Sequence, residues 1–189
     1  MSGSRTVFFI GKPGCGKGTQ AKLLSEHTGW PVFASGALFR GIASEDTPVG
    51  RKVRVDNDAG VLQPHWFAMY LYLRSLFSIP ADESAIFDGF NRKVQEAELV
   101  VDSLIWLQRP FAVLLIDVSD AEVRRRLAER KKTSGRADDH AVDERLQEYQ
   151  EYTVPAIEVF RAANALIEIR GEQSPEAIAA DVRAALDIA

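Results

Sequence analysis

The sequence predicts an α/β fold of three layers, with a five-stranded parallel sheet flanked by helices on both faces. Three observations lead there. Short apolar, β-rich runs alternate along the chain with helical patterns, the order expected of a parallel sheet covered on both sides. The run 111–117 (Phe-Ala-Val-Leu-Leu-Ile-Asp) is nearly all apolar, as a central parallel strand should be. The first strand-like run, Thr6-Val7-Phe8-Phe9-Ile10, leads straight into a glycine-rich turn and then a helix start.

In chain order, strands are expected near 5–10, 32–34, 85–87, 111–117 and 165–169. Helices are expected between them, near 17–27, 37–44, 50–58, 64–78, 93–107, 120–131, 139–163 and 175–187. The first helix carries Ala21, Leu23 and Leu24 as its apolar members. The segment 64–78 is apolar nearly all round, which implies a helix packed inside the domain, with a dimer surface as the alternative. Ser119 followed by Glu122 reads as a capping box, and Ser174-Pro175 as an N-cap with proline at the first helical position. In the last helix Ile178, Val182, Ala185 and Leu186 form one apolar face. No internal repeat or low-complexity tract interrupts this pattern.

At 189 residues the chain fits one domain with a sizeable core. A net charge of −4 argues against a nucleic-acid partner. Cys15 is the single cysteine, so one chain holds no internal disulfide and no cysteine-based zinc site. The longest apolar runs fall far short of a membrane span, and no charged segment followed by an apolar one opens the chain. A monomer in a reduced, cytoplasmic setting, with no membrane partner, is the expectation.

The turn is Gly11-Lys12-Pro13-Gly14-Cys15-Gly16-Lys17-Gly18-Thr19-Gln20. A strand, a glycine-rich turn and a helix start make a phosphate loop. Glycines let the backbone curl so that several N–H groups point at one anion. The helix N-terminus adds partial positive charge. Lys17 supplies a full charge able to reach β- and γ-phosphates. Two further constellations suit the same chemistry. Asp88 ends the third strand, where an acid can hold magnesium directly or through water. Arg126 and Arg130, at i and i+4, share one helix face.

The Gly-Lys-Gly-Thr form of the loop, with Gln20 behind it, resembles the adenylate kinase family of nucleoside monophosphate kinases. The resemblance continues in order through Ser35-Gly36-Ala37-Leu38-Phe39-Arg40, Asp88-Gly89-Phe90-Asn91-Arg92, Arg126 to Arg130, Ser134-Gly135-Arg136-Ala137-Asp138-Asp139, Arg145, and Gly171 to Glu176. It implies a P-loop NTPase-type core (1–33, 63–130 and 140–189), a helical arm for the nucleoside monophosphate (34–62) and a short lid (131–139). It implies transfer of the γ-phosphoryl of ATP, with Mg2+, to AMP to give two ADP. A UMP/CMP or other nucleoside monophosphate kinase, or a catalytically weakened nucleotide-binding module, stands as the alternative.

By the same resemblance the donor ATP is held by Gly14, Cys15, Gly16, Lys17, Gly18, Thr19, Arg126, Arg130 and Gln173. The acceptor is held by Ser35, Gly36, Arg40, Val61, Leu62, Gln63, Gly89, Phe90, Arg92, Glu96, Arg136 and Arg145. Lys17, Asp88, Arg92, Arg130, Arg136 and Arg145 form the catalytic set. Asp88, through water, and Thr19 are the metal candidates. Four departures from the family pattern stand out. Ala37 replaces an aspartate, and His65-Trp66 an acidic pair. Asn91 replaces a cis proline, so a trans peptide or an altered loop is expected there. Glu96 replaces the glutamine that reads the adenine edge.

Overall fold

All five expected strands form and pair in parallel, in the order β2-β3-β1-β4-β5. They are β1 (Thr6–Ile10), β2 (Val32–Ala34), β3 (Ala85–Asp88), β4 (Phe111–Asp117) and β5 (Leu166–Arg170). The computed structural model describes residues 5–134 and 142–188. Its helices are α1 (Lys17–Thr28), α2 (Ser35–Ser44), α3 (Pro48–Asp58), α4 (His65–Leu76), α5 (Val94–Trp106), α6 (Asp120–Ser134), α7 (Val142–Glu148), α8 (Val154–Ala162) and α9 (Pro175–Ala185). A π-helical turn, Tyr149–Thr153, joins α7 to α8.

Strand β1 sits between β3 and β4; the chain runs from it toward the β2 edge and later crosses from β3 to β4 on its other side, so the direction along the sheet reverses here. Ligands of open parallel sheets bind outside the carboxyl ends of the strands at such a reversal. The register places Asp88 beside Phe9, at the end of β1. The sequence-expected acid therefore arrives at the mouth of the glycine-rich turn.

Alternation along β1 divides the core in two. Phe8 and Ile10 face α4, α5 and α8, whereas Val7 and Phe9 face α1, α6 and α9. A strand buried on both faces needs a continuous apolar run, and β1 has one. On the first face Phe8 stacks on Phe87 with centroids 5.1 Å apart, and Tyr72 and Phe90 meet Phe87 edge-on at 5.3 and 5.7 Å. Each such pair adds roughly 0.5–1.5 kcal/mol beyond its buried area. Burial also raises the pKa of the Tyr72 phenol, whose one polar atom lies 3.1 Å from Ser103 Oγ.

Three expectations need correction. The expected continuous helix over 139–163 is broken by the π-helical turn, and its first residues fall outside those described. Pro155, in the first turn of α8, carries no N–H and cannot close an ordinary helical hydrogen bond, which explains a break at this point. Helix α2 begins two residues early, so Ser35 and Gly36 form its first turn rather than a preceding loop. Helix α4 is not interior on all sides. It buries Ala68, Met69, Leu71, Tyr72 and Leu76, while Trp66 and Tyr70 are exposed, as is Phe77 just past its end. A helix in the outer layer has the sheet on one side only.

Helices α2 and α3 pack chiefly against each other. Thr47 caps α3 by accepting from the Gly50 N–H at 2.9 Å. Their closeness depends on Gly50, where a Cβ would lie 2.3 Å from the Glu45 oxygen and 2.7 Å from the Ile42 oxygen. Backbone cannot retreat as a flexible side chain can. Gly50→Ala should cost about 1–3 kcal/mol, lowering the thermal midpoint by roughly 2–12 °C at this chain length. A calorimetric scan with an unchanged midpoint would show that α2 and α3 separate at no cost.

Candidate active site

The turn after β1 curls as its glycines require. Gly14 has φ 75°, and a Cβ there would lie 2.8 Å from Leu127 Cγ. Gly16, with φ 106°, caps α1 in the left-handed region that other residues avoid. Lys17 opens α1, and its Nζ donates to the carbonyls of Gly11 at 2.7 Å and Lys12 at 2.8 Å, with Cys15 Sγ at 3.5 Å. The ammonium thus lies folded across its own loop. Burial lowers its pKa, Cys15 and Asp88 act to raise it, and Arg92 acts to lower it. Asp88 and Arg92 are therefore electrostatic neighbours of Lys17. Cys15 is wholly buried beneath the loop; its thiol meets Lys17, and its carbonyl faces α6.

On the donor side that carbonyl accepts from Arg126 Nη1 at 3.0 Å. Arg126 Nη2 donates to the Gly171 carbonyl at 2.7 Å, and Nε to Glu122 at 2.6 Å. One guanidinium so joins the loop, the start of α6 and the turn after β5. Hydrogen bonds from Arg125 and Arg126 pull the Glu122 carboxyl down to a pKa of about 2. The capping box is half realised. Glu122 N–H donates to Ser119 Oγ at 3.3 Å, but Ser119 N–H donates to Glu172 instead of Glu122. The Ser174 cap forms as expected, with Ala177 N–H donating to its hydroxyl. Gln173 is exposed and its side chain turns to Asp181 at 2.8 Å, outside the cleft.

The loop opens into one cleft of about 1350 Å³ that continues between α2, α3 and residues 60–63. Gly36, Arg40, Val61, Leu62, Gln63, Gly89, Phe90, Arg92 and Glu96 line it, and so do Ser35, Thr19, Arg130 and Arg145. Arg136 lies outside the described residues, and with it most of the expected lid. Ser35, Gly89 and Arg92 meet closely. A Cβ on Gly89 would lie 2.7 Å from Arg92 Nη2 and 2.8 Å from Ser35 Oγ. Arg92 Nε donates to the Gly89 carbonyl at 2.7 Å. Asn91 follows a trans peptide with φ 60°, and its wholly buried amide has no hydrogen-bond partner. Farther along, Ala34, Phe39, Val61, Leu62 and Phe90 give apolar walls among which Ser35, Gln63 and Glu96 are nearly buried. Flat apolar walls with a few polar groups suit a nucleobase. Glu96 Oε2 accepts from the N–H groups of Arg92 at 2.7 Å and Lys93 at 3.2 Å. Burial raises its pKa against those bonds.

Asp88 satisfies the chemistry of a magnesium site. Its Oδ2 lies 3.3 Å from where a Cβ on Gly18 would be, against the first turn of α1 that also presents Thr19. No hydrogen bond or ion pair among the described residues engages its carboxylate. Magnesium is commonly held by one or two carboxylates together with substrate phosphates and water.

Sequence reasoning missed several residues. Lys12 Nζ pairs with Asp120 at 2.6 Å and donates to the Val118 carbonyl at 2.9 Å, tying the loop to α6. Tyr149 lines the cleft, its phenol pushed up to about 12 chiefly by burial. Lys93 and Glu148 hold the main chain of residues 62 and 63 at the wall of the cleft. A lysine inside the glycine-rich turn was visible in the sequence. The partners of the other three lie far away in the chain.

A phosphate loop at the sheet's reversal, an acid beside it, and arginines along a cleft larger than one small ligand needs define a phosphate-loop kinase of the nucleoside monophosphate class. The adenylate kinase family model matches residues 9–165. An adenylate kinase of Thermus thermophilus is 34% identical over 192 residues, covering 100% of both chains. Adenylate kinase 1 of Nostoc sp. is 34% identical over 183 residues, covering 95% of this chain and 97% of its own. Adenylate kinase of Prochlorococcus marinus is 32% identical over 185 residues, covering 96% and 97%. The chain belongs to the adenylate kinase family, and it is a phosphotransferase enzyme of that kind.

Glu122 makes a pH test of the Arg126 strut. Its pKa falls from an ordinary 4.5 to about 2 on folding. The stability it contributes is complete above 4.5 and is lost as pH falls toward 2. The difference in urea midpoint between the wild type and Glu122→Gln should shrink over that interval and vanish below it. A difference independent of pH would reject this assignment.

Proposed function

We propose that the chain transfers the γ-phosphoryl group of ATP to AMP reversibly, giving two ADP. The observation that carries this reading is the meeting of Lys17, Asp88 and Arg92 at the carboxyl ends of β1 and β3, between the phosphate loop and the acceptor end of the cleft. The loop N–H groups and Lys17 bind the donor phosphates, Lys17 exchanging its carbonyl partners for phosphate oxygens. Arg126 and the turn after β5 flank the donor base, with Gln173 contributing through its backbone. Arg40 and Arg92 hold the acceptor phosphate. Arg130 and Arg145, joined by Arg136, neutralise charge on the transferring group. Asp88, through water, and Thr19 would hold magnesium, which would supply positive charge against the donor phosphates. The protein's task is alignment, charge neutralisation and exclusion of water.

Residues 34–62 act as an acceptor arm and 131–139 as a short lid over the core. The chain works as a cytoplasmic monomer. No helix among the described residues is long and apolar enough to cross a membrane.

A second reading, transfer to another base, rests on Glu96. A buried carboxylate accepts hydrogen bonds where an amide would both donate and accept. Diphosphate formation from Mg·ATP with AMP, CMP, UMP, GMP and their deoxy forms separates the two. Turnover with AMP foremost supports the first reading, and faster turnover with another base moves the acceptor assignment. No turnover with any acceptor, in folded protein that binds ATP, overturns both.

Lys17→Met should lower kcat by about 10²–10³-fold, the scale for removing one pre-organised donor to a developing charge. Turnover within a few-fold of the wild type would sink the role given to the loop. Ser35→Ala should shift the ratio of kcat/KM for AMP over CMP by about fivefold toward CMP, the contribution of one hydrogen bond. An unmoved ratio would mean that Ser35 does not read the base.

A further inference from the structure

The wall of the cleft formed by residues 61–63 is gripped by two charged side chains on different elements, Glu148, which itself lines the cleft, and Lys93, which does not. The Leu62 N–H donates to the Glu148 carboxylate. The Gln63 carbonyl accepts from Lys93 Nζ at 3.2 Å. Lys93 also lies 5.3 Å from the centroid of the Tyr152 ring and faces Glu148 electrostatically. Glu148 Oε2 is shielded from solvent and has no hydrogen-bond partner, so the Leu62 bond falls to the other oxygen. Each gripping residue stands beside a cleft arginine. Lys93 directly follows Arg92. Glu148 follows Arg145 by three residues on α7, which places both on one helix face.

We propose that Glu148 and Lys93 are positioning residues for the phosphoryl acceptor: they fix the main chain of residues 62 and 63 relative to Arg145 and Arg92, so that a nucleotide lying against this segment presents its phosphate to both arginines. The proposal rests on the phosphoryl-transfer reading above. The geometry favours such a role over simple bracing. Both bonds end on main-chain groups of a short segment between α3 and α4, not on side chains of the core. Both gripping residues, moreover, are one helical turn or less from a guanidinium in the cleft. Gln63 is itself nearly buried, and its amide donates to Asn57 at the end of α3, so the gripped segment moves with that helix. A displacement of the segment by an ångström would shift the acceptor relative to the donor, and transfer is steeply sensitive to such misplacement.

The test is steady-state kinetics of the full chain with Glu148→Ala, Glu148→Gln and Lys93→Met, varying acceptor and ATP in turn. Glu148→Ala should raise the acceptor KM about tenfold while the ATP KM stays within about twofold. Glu148→Gln should restore most of the acceptor KM, because its amide oxygen still accepts from Leu62. Lys93→Met should raise the acceptor KM about threefold. A purely structural role would move both KM values together, would follow the thermal midpoint and would not be rescued by glutamine. Equal changes in both KM values, or Glu148→Gln as impaired as Glu148→Ala, would overturn the proposal. If Glu148→Ala does not fold, Glu148→Gln and Lys93→Met still decide it by the same split. If the wild type forms no diphosphate with any acceptor, the phosphoryl-transfer reading fails separately. Equilibrium dialysis of AMP against the wild type and Lys93→Met then shows whether the segment is positioned for binding.

Discussion

The curl of main chain from Gly11 to Lys17 is the constraint on which the other elements depend. Its N–H groups point inward only if both ends are held. One end is β1, buried on both faces between β3 and β4. The other is α1, whose N-terminal field reinforces the curl's affinity for anions. Leu127 of α6 packs against Gly14, and Lys12 reaches to Asp120 and the Val118 carbonyl. The loop is thereby clamped from the sheet below and from α6 beside it.

Around this curl the chain concentrates cations despite its net charge of −4. Like charges at close range would disrupt an empty site, and local acceptors hold them in place. Lys17 rests on the carbonyls of Gly11 and Lys12, Arg92 on that of Gly89, and Arg126 on Glu122 and two further carbonyls. Most of these acceptors are neutral main-chain groups, weaker partners for a cation than anionic oxygens are. Arg126 differs. Its carboxylate partner is a charged acceptor, so this guanidinium is held more firmly than the others.

The cleft beyond Asp88 is built on a different principle. Ser35, Gly89 and Arg92 approach within a few ångströms because Gly89 carries no side chain. Glu96 holds the main chain at the start of α5, so this cleft carboxylate also fixes the backbone from which Arg92 extends. Lys93, next to Arg92, and Glu148, one helical turn from Arg145, both meet the main chain of residues 62 and 63. The phosphate loop and the rest of the cleft join where Lys17, Asp88 and Arg92 meet.

The sequence by itself determined the order of the motifs along the chain, the phosphate loop, the acid at the end of β3 and the arginines along the cleft. These are local signals. A glycine-rich turn after an apolar run, or arginines four apart, carry their geometry in adjacent residues. Element boundaries were legible for the same reason, except where the chain's course depended on distant packing. The exposed side of α4 could not be read from residues that are apolar nearly all round, since only the sheet decides which side it covers. The break between α7 and α8 reflects one proline within an otherwise helical pattern. Only the tertiary structure decided that Arg126 spans Cys15 and Gly171, that Gln173 turns away from the cleft, and that Glu148 meets Leu62. The bonds of Arg126 and Glu148 join residues dozens of positions apart, and hydrogen-bond partners at that separation are chosen by the packing of sheet and helices, which no local pattern encodes.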